Sequence, residues 1–151
     1  MYLALREAIE KVRTQHPFQI DAWVLLPDHL HTIWTLPNND ADFPLRWQLI
    51  KRHVIRQCGE LLHQPDLMTA SKTRHRESTL WQRRYWEHLI LDDADFERHM
   101  HYLHYNPVKH ALVKQVKDWP YSSFHRYVEN GTYDENWGAT PLRDHGNFGK
   151  I

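Results

Sequence analysis

Two histidines one residue apart, His29 and His31, lie inside the run Leu25-Leu26-Pro27-Asp28-His29-Leu30-His31-Thr32-Ile33-Trp34, and no other stretch restricts the fold as much. The residues after the Pro27-Asp28 break are rich in β-branched and aromatic side chains, the composition of a strand. Strand side chains alternate between faces, so both imidazoles point one way and Leu30 points the other. Two imidazoles side by side on a rigid strand are half of a metal site. A second element has to supply the remaining ligand and a group for the cation to serve, and a core has to hold both still. A chain of 151 residues with 41% hydrophobic content can build one such core.

The flanking sequence supplies the elements. Leu5, Ala8, Ile9 and Val12 recur at helical spacing, which predicts a helix over residues 3–15, ended by Pro17. Phe18 to Leu26 reads as a strand that pairs with the histidine strand in a tight antiparallel hairpin. Asp42 is an N-cap for a helix running to about Leu62, with Pro44 in its first turn and Ile50, Val54, Cys58 and Leu61 as its apolar stripe. Residues 63–79 form a long polar loop, and loops of that length are usually functional or disordered. Trp81 to Leu91 is a third strand candidate. Asp92-Asp93-Ala94-Asp95 opens a helix that should stop near Asn106, because Pro107 disfavours helical geometry in the residue before it. A short helix through Val128 follows, and 129–151 reads as a loosely held, Gly- and Asn-rich tail. The expected architecture is α+β, one domain over 1–128 with a small antiparallel sheet and helices packed on one face.

On the helix that ends at Asn106, Tyr102 and Asn106 are four apart and so share a face. Beside the paired histidines, they suggest a specific chemistry. His29, His31 and Asn106 bind a divalent cation that polarises a phosphodiester. Tyr102 attacks phosphorus as the nucleophile and forms a phosphotyrosyl bond. Each feature has a plainer explanation. A chain with 13 histidines produces His-x-His pairs by chance, Tyr102 could be a packing residue, and Asn106 before a proline could be a helix C-cap.

Net charge is zero, yet Arg46 to Arg84 holds nine basic residues against three acidic ones, a zone that suits a phosphate backbone. Lys51, Arg52, Arg74, Arg76, Arg83 and Arg84 in this zone are candidate DNA contacts. Lys109 and His110, just past Tyr102, are placed where a scissile phosphate would lie. Trp81 and Trp86 are candidates to stack on a base. No apolar run is long enough to span a membrane, and Cys58 is the only cysteine, which together fit a cytoplasmic protein.

Four ordered motifs resemble the REP-associated tyrosine transposases, a family of single-tyrosine HUH transposases. They are Trp23 to His31, Trp81 to His88, Tyr102 to His110, and Asp118 to Tyr127. The resemblance covers roughly 5–137. It implies a ferredoxin-like α+β fold and cleavage and strand transfer of single-stranded DNA beside a palindromic, REP-like hairpin. It also implies Mg²⁺ or Mn²⁺, a 5′-phosphotyrosine intermediate, and a monomer. Matched by motif, His29 and His31 are the metal ligands, Asn106 the third ligand and Tyr102 the nucleophile. Family members usually begin with an extra strand before the first helix. This chain starts almost at the helix, so an open sheet edge that could pair two copies is expected. Two other readings fit the same residues: a non-catalytic hairpin-binding protein derived from such a transposase, and a histidine-rich metal module that binds no DNA.

Overall fold

The computed structural model describes residues 1–75, 79–81 and 85–139. The chain divides into two compact units. One comprises Met1–Phe18 and Leu36–Trp86, the other Gln19–Thr35 and the chain from Glu87.

In the first unit, helix α1 (Tyr2–Gln15) buries Leu5, Ala8 and Val12, and packs against α2 (Phe43–Leu62), which buries Ile50 and Val54. The side chain of Asp42 caps α2 by accepting from the Leu45 backbone N–H at 3.1 Å. Arg46, counted above in the basic zone, is only 2% exposed. Its guanidinium donates to the carbonyls of His16, Pro17 and Asp42 and to both carboxylate oxygens of Asp40, at 2.6 and 3.1 Å. Arg46 therefore ties the end of α1 to the start of α2 and offers nothing to DNA. The long loop after α2 contains a 3₁₀ turn at Pro65–Leu67 and a short helix, α3 (Ala70–Arg74).

In the second unit, β1 (Gln19–Leu25) and β2 (Leu30–Thr35) pair antiparallel, with Val24 opposite His31 and Leu25 opposite Leu30. The connection is a four-residue turn around Pro27-Asp28, closed by the Leu26 N–H on the His29 carbonyl at 2.8 Å. Register slips by one residue between Ile20 and Ala22. The carbonyl of Asp21, at that bulge, accepts from the Tyr127 hydroxyl at 2.6 Å and from Arg126, both on α5 (Phe124–Glu129). The core comprises Ala22, Val24, Leu26, Met100, Leu103, Val116, Phe124 and Tyr133. Among the described residues no helix is long and apolar enough to cross a membrane.

Three expectations are corrected. Trp81 and Tyr85–Leu91 form no strand, and Leu89 and Leu91 stay 78% and 75% exposed. Their apolar content mimicked a buried strand without a face to bury it. The open side of β1 is instead met by residues 121–123: Val24 bridges Ser122, the Leu25 N–H donates to the Tyr121 carbonyl, and the Ser123 N–H donates to the Trp23 carbonyl, each at 2.9 Å. The segment after 128 is not loosely held throughout, because Tyr133 is buried in the core and Trp137 packs on it. Finally, α4 (Asp93–Lys109) runs straight through Pro107. The missing N–H forfeits one helical bond, while wholly buried Asn106 and Pro107 are held by the surrounding packing, which outweighs the local preference.

The end of α4 carries strain. Leu112 N–H bonds to the Pro107 carbonyl and Ala111 N–H to the Val108 carbonyl, both at 2.9 Å, the pattern of a Schellman cap. Its left-handed position is held by Ala111, at φ 55°, where glycine is the unstrained choice. Ala111→Gly is expected to stabilise the fold by about 1 kcal/mol, read as a rise in urea midpoint without a change in slope.

Candidate metal and nucleophile site

The turn and β2 hold the two imidazoles side by side, with ring centroids 4.9 Å apart and planes at 85°. Helix α4 packs on β2 and brings Tyr102 and His110 towards them, and Asn106 and Lys109 lie on the same helical face at i+4 and i+7 from Tyr102. The Tyr102 ring lies 5.8 Å from His31, and the His110 ring 5.3 Å from His29. The Lys109 ammonium is 4.8 Å from the centre of the Tyr102 ring, within cation–π range.

Burial, with smaller contributions from His29 and His110, pushes His31 down to about 4. The ring is therefore neutral at physiological pH and keeps a lone pair for a cation. Asp28 fixes the other ring. Its carboxylate accepts from His29 Nδ1 at 2.6 Å, and that hydrogen bond holds the Asp28 carboxyl below its ordinary range. With Nδ1 carrying the proton, Nε2 is the free ligating atom, the carboxylate–histidine arrangement common around bound metals. The sequence reading treated Asp28 only as a turn residue. An acid directly before the first histidine was the available signal.

Asn106 is fully buried, and neither its amide oxygen nor its amide nitrogen meets a hydrogen-bond partner among the described residues. Unsatisfied buried amides are uncommon and call for an explanation. A cation satisfies such an oxygen, so two imidazoles plus Asn106 Oδ1 are a donor set that fits a divalent ion.

The candidate DNA contacts are dispersed. In the first unit, Lys51 is half-buried with its ammonium 5.9 Å from the Trp81 ring and 5.3 Å from Tyr85, while Arg52 and Arg74 are exposed on α2 and α3. Trp86 is 45% exposed. Lys109 and His110 end α4 in the second unit. Arg76, Arg83 and Arg84 lie outside the described residues.

A second cluster escaped the sequence reading. His88, Asp95 and His99 place their ligand atoms within 4.8 Å of one another, a group that could hold a metal ion. Asp95 already accepts from His88 Nε2 at 2.8 Å, the Leu91 N–H at 3.0 Å and Arg98 at 3.2 Å, with His99 Nδ1 3.1 Å away. The His88 hydrogen bond foremost holds its carboxyl down to about 2. The two rings stack at 4.4 Å with planes 14° apart. A ligating imidazole has its metal in the ring plane, so stacked rings share an ion only after one turns. As they stand, the three side chains clasp residues 88–91 to the start of α4. The i, i+4 pair Asp95–His99 was the sequence signal.

No family model matches the chain. Curated relatives do. It is 45% identical over 138 residues to the REP-associated tyrosine transposase of Escherichia coli strain K12, covering 91% of this chain and 73% of that protein. It is 44% identical over 136 residues to a putative REP-associated tyrosine transposase of Haemophilus influenzae, covering 90% and 76%. Among solved structures, a REP-associated tyrosine transposase bound to a REP hairpin matches with a TM-score of 0.80 and 43% identity, over 99% of this chain and 80% of that one.

Proposed function

The chain belongs to the REP-associated tyrosine transposases, and from that premise we propose that it cleaves and rejoins single-stranded DNA beside a REP-like hairpin through a covalent 5′-phosphotyrosine. The observation that carries this reading is the approach of one phenol, Tyr102, to the His29–His31 pair, with Asp28 orienting the first histidine and the unsatisfied amide of Asn106 on the same helical face as the phenol.

In this reading Tyr102 Oη attacks the phosphorus of the scissile phosphodiester. The P–O3′ bond breaks, the phenol loses its proton, and the departing 3′ oxygen gains one. A phosphotyrosyl ester retains the energy of the broken linkage, so a second 3′ hydroxyl can reverse the step on another strand without ATP. His29 Nε2, His31 and Asn106 Oδ1 would hold Mg²⁺ or Mn²⁺, which supplies charge neutralisation and polarisation at the phosphate. Lys109, against the Tyr102 ring, is placed to steady the developing phenolate or a phosphate oxygen. His110, against His29, borders the same space.

The test is a labelled oligonucleotide carrying the hairpin, incubated with the protein and Mn²⁺. A protein–DNA adduct that survives detergent and disappears with EDTA is the expected result. Hairpin binding without adduct in either metal would falsify the catalytic reading and leave a non-catalytic hairpin binder. Asp28→Asn removes the carboxylate that orients His29 and is expected to weaken Mn²⁺ binding about 10- to 100-fold, measured by calorimetric titration. Unchanged affinity would mean that the turn alone orients the ring.

A further inference from the structure

A cavity of about 350 Å³ opens between α1 and α2 in the first unit, lined by Glu7, Ala8, Lys11, His53, Arg56 and Gln57. Its cations outnumber its one lining carboxylate. Lys11 comes from α1, and Arg56, with Arg52 one turn earlier, comes from α2. Their side chains make no ion pair or hydrogen bond with any described residue. The lining carboxylate, Glu7, accepts from the Gln57 amide at 2.8 Å. His53, also in the lining, is held below its ordinary range, first by desolvation and then by Lys11, Arg56 and Arg52. Lys11, Arg56 and Arg52 outnumber Glu7 around His53, so the local potential is positive and favours an anion. Arg46, a few residues earlier on the same helix, shows the contrast, because every donor it aims inward has an acceptor.

We propose that this α1–α2 cavity is a binding site for backbone phosphate of the DNA substrate, held by Lys11, Arg56 and Arg52 with Gln57 as a neutral donor. The site is separate in sequence and chemistry from the histidine–tyrosine group, so it positions DNA and takes no part in bond breaking. It rests on the reading that this protein binds a DNA hairpin.

The test compares wild-type protein with Lys11→Gln/Arg56→Gln by fluorescence anisotropy of a labelled hairpin oligonucleotide across a salt series. Loss of two phosphate contacts should lower affinity at least about tenfold near 0.1 M salt and reduce the log K against log salt slope by about 2. The charge-retaining exchange Lys11→Arg/Arg56→Lys should restore both. Adduct formation at saturating DNA should be unchanged, which separates this role from catalysis. If the double variant fails to fold, the single exposed change Arg52→Gln provides the same readout with a slope change of about 1. Unchanged affinity and slope, with wild type binding the hairpin, overturn the site alone. Wild-type protein that binds no hairpin overturns the functional reading together with it. Equal protection of the cavity by millimolar inorganic phosphate and by DNA, with no effect of the variants on DNA binding, identifies a small-anion site and also overturns the proposal.

Discussion

Tyr102→Phe is expected to abolish the covalent protein–DNA adduct, with a loss of at least about 10³-fold, while leaving hairpin binding and folding intact. The expectation rests on what phenylalanine keeps. The ring still meets His31 edge-on at the 5.8 Å spacing and still faces the Lys109 ammonium, both interactions of the ring and not of the hydroxyl. What is lost is the oxygen that would form the ester. Removing a nucleophile with its surroundings preserved eliminates the covalent step and leaves substrate binding. Two other tyrosines are available as rivals. Tyr105 meets Trp137 at 6.5 Å, and Tyr85 packs with Phe43 and Trp47. An adduct that persists in the Phe variant, traced by peptide mapping to either of them, would move the reaction away from the histidine pair and end the proposed mechanism.

The second large effect is on stability in mild acid. His104 is fully buried on α4, with Nε2 2.8 Å from the Ser123 hydroxyl and Nδ1 3.3 Å from the Tyr133 hydroxyl. Ser123 in turn accepts from the Trp23 N–H at 2.8 Å and donates to the Trp23 carbonyl at 3.1 Å. Ser123 therefore accepts from His104, and His104 accepts from Tyr133, an arrangement that requires the neutral imidazole. Burial first, then the nearby His101, Arg126 and His125, pushes His104 down to about 3 from an ordinary 6.5. In the unfolded chain the imidazole takes up a proton below about pH 6.5, whereas in the folded protein it does so only near 3. The unfolded state therefore binds more protons between these values, and stability falls as pH falls through that window. From pH 7 to about 4.5 the loss from this one group is about 2–3 kcal/mol, a large part of the stability of a small domain. Urea midpoints measured across this range should show the decline. His104→Gln should flatten it by nearly one proton, whatever its own cost to the fold. An unaltered slope in that variant would mean that another group drives the acid sensitivity.

Local chemistry made much of this protein legible from its residues. The Pro27-Asp28 turn, the β1–β2 hairpin, the Asp42 and Asp92 caps, the apolar stripe of α1 and the Ile50–Val54 part of that of α2 are decided within a few residues of one another, because they depend on backbone hydrogen bonds and neighbouring side chains. Leu61, expected in the α2 stripe, is instead 86% exposed, because no packed surface among the described residues meets the end of that helix. The Tyr102–Asn106 spacing belongs to the same locally decided class, since the helix period alone fixes which side chains share a face. His29, by contrast, sits in the turn before β2 and not in the strand, so the turn as well as the strand period sets its place beside His31.

Long-range burial decided the rest. The continuation of α4 through Pro107 comes from the packing around Asn106 and Pro107, which no local preference contains. The partner for the second edge of β1 came from residues 121–123 and not from Trp81–Leu91, because edge pairing is settled by which backbone arrives there after folding. Tyr133 joined the core from a stretch whose composition looks like a solvated tail, since a single aromatic can be buried by surfaces far away in sequence. The His88–Asp95–His99 clasp and the cationic cavity between α1 and α2 are likewise products of helix packing. Sequence determined which chemical groups this chain can bring to bear and on which faces. Tertiary structure decided which of them are desolvated beside one another, and desolvation sets their protonation, their unmet bonds and what they can bind.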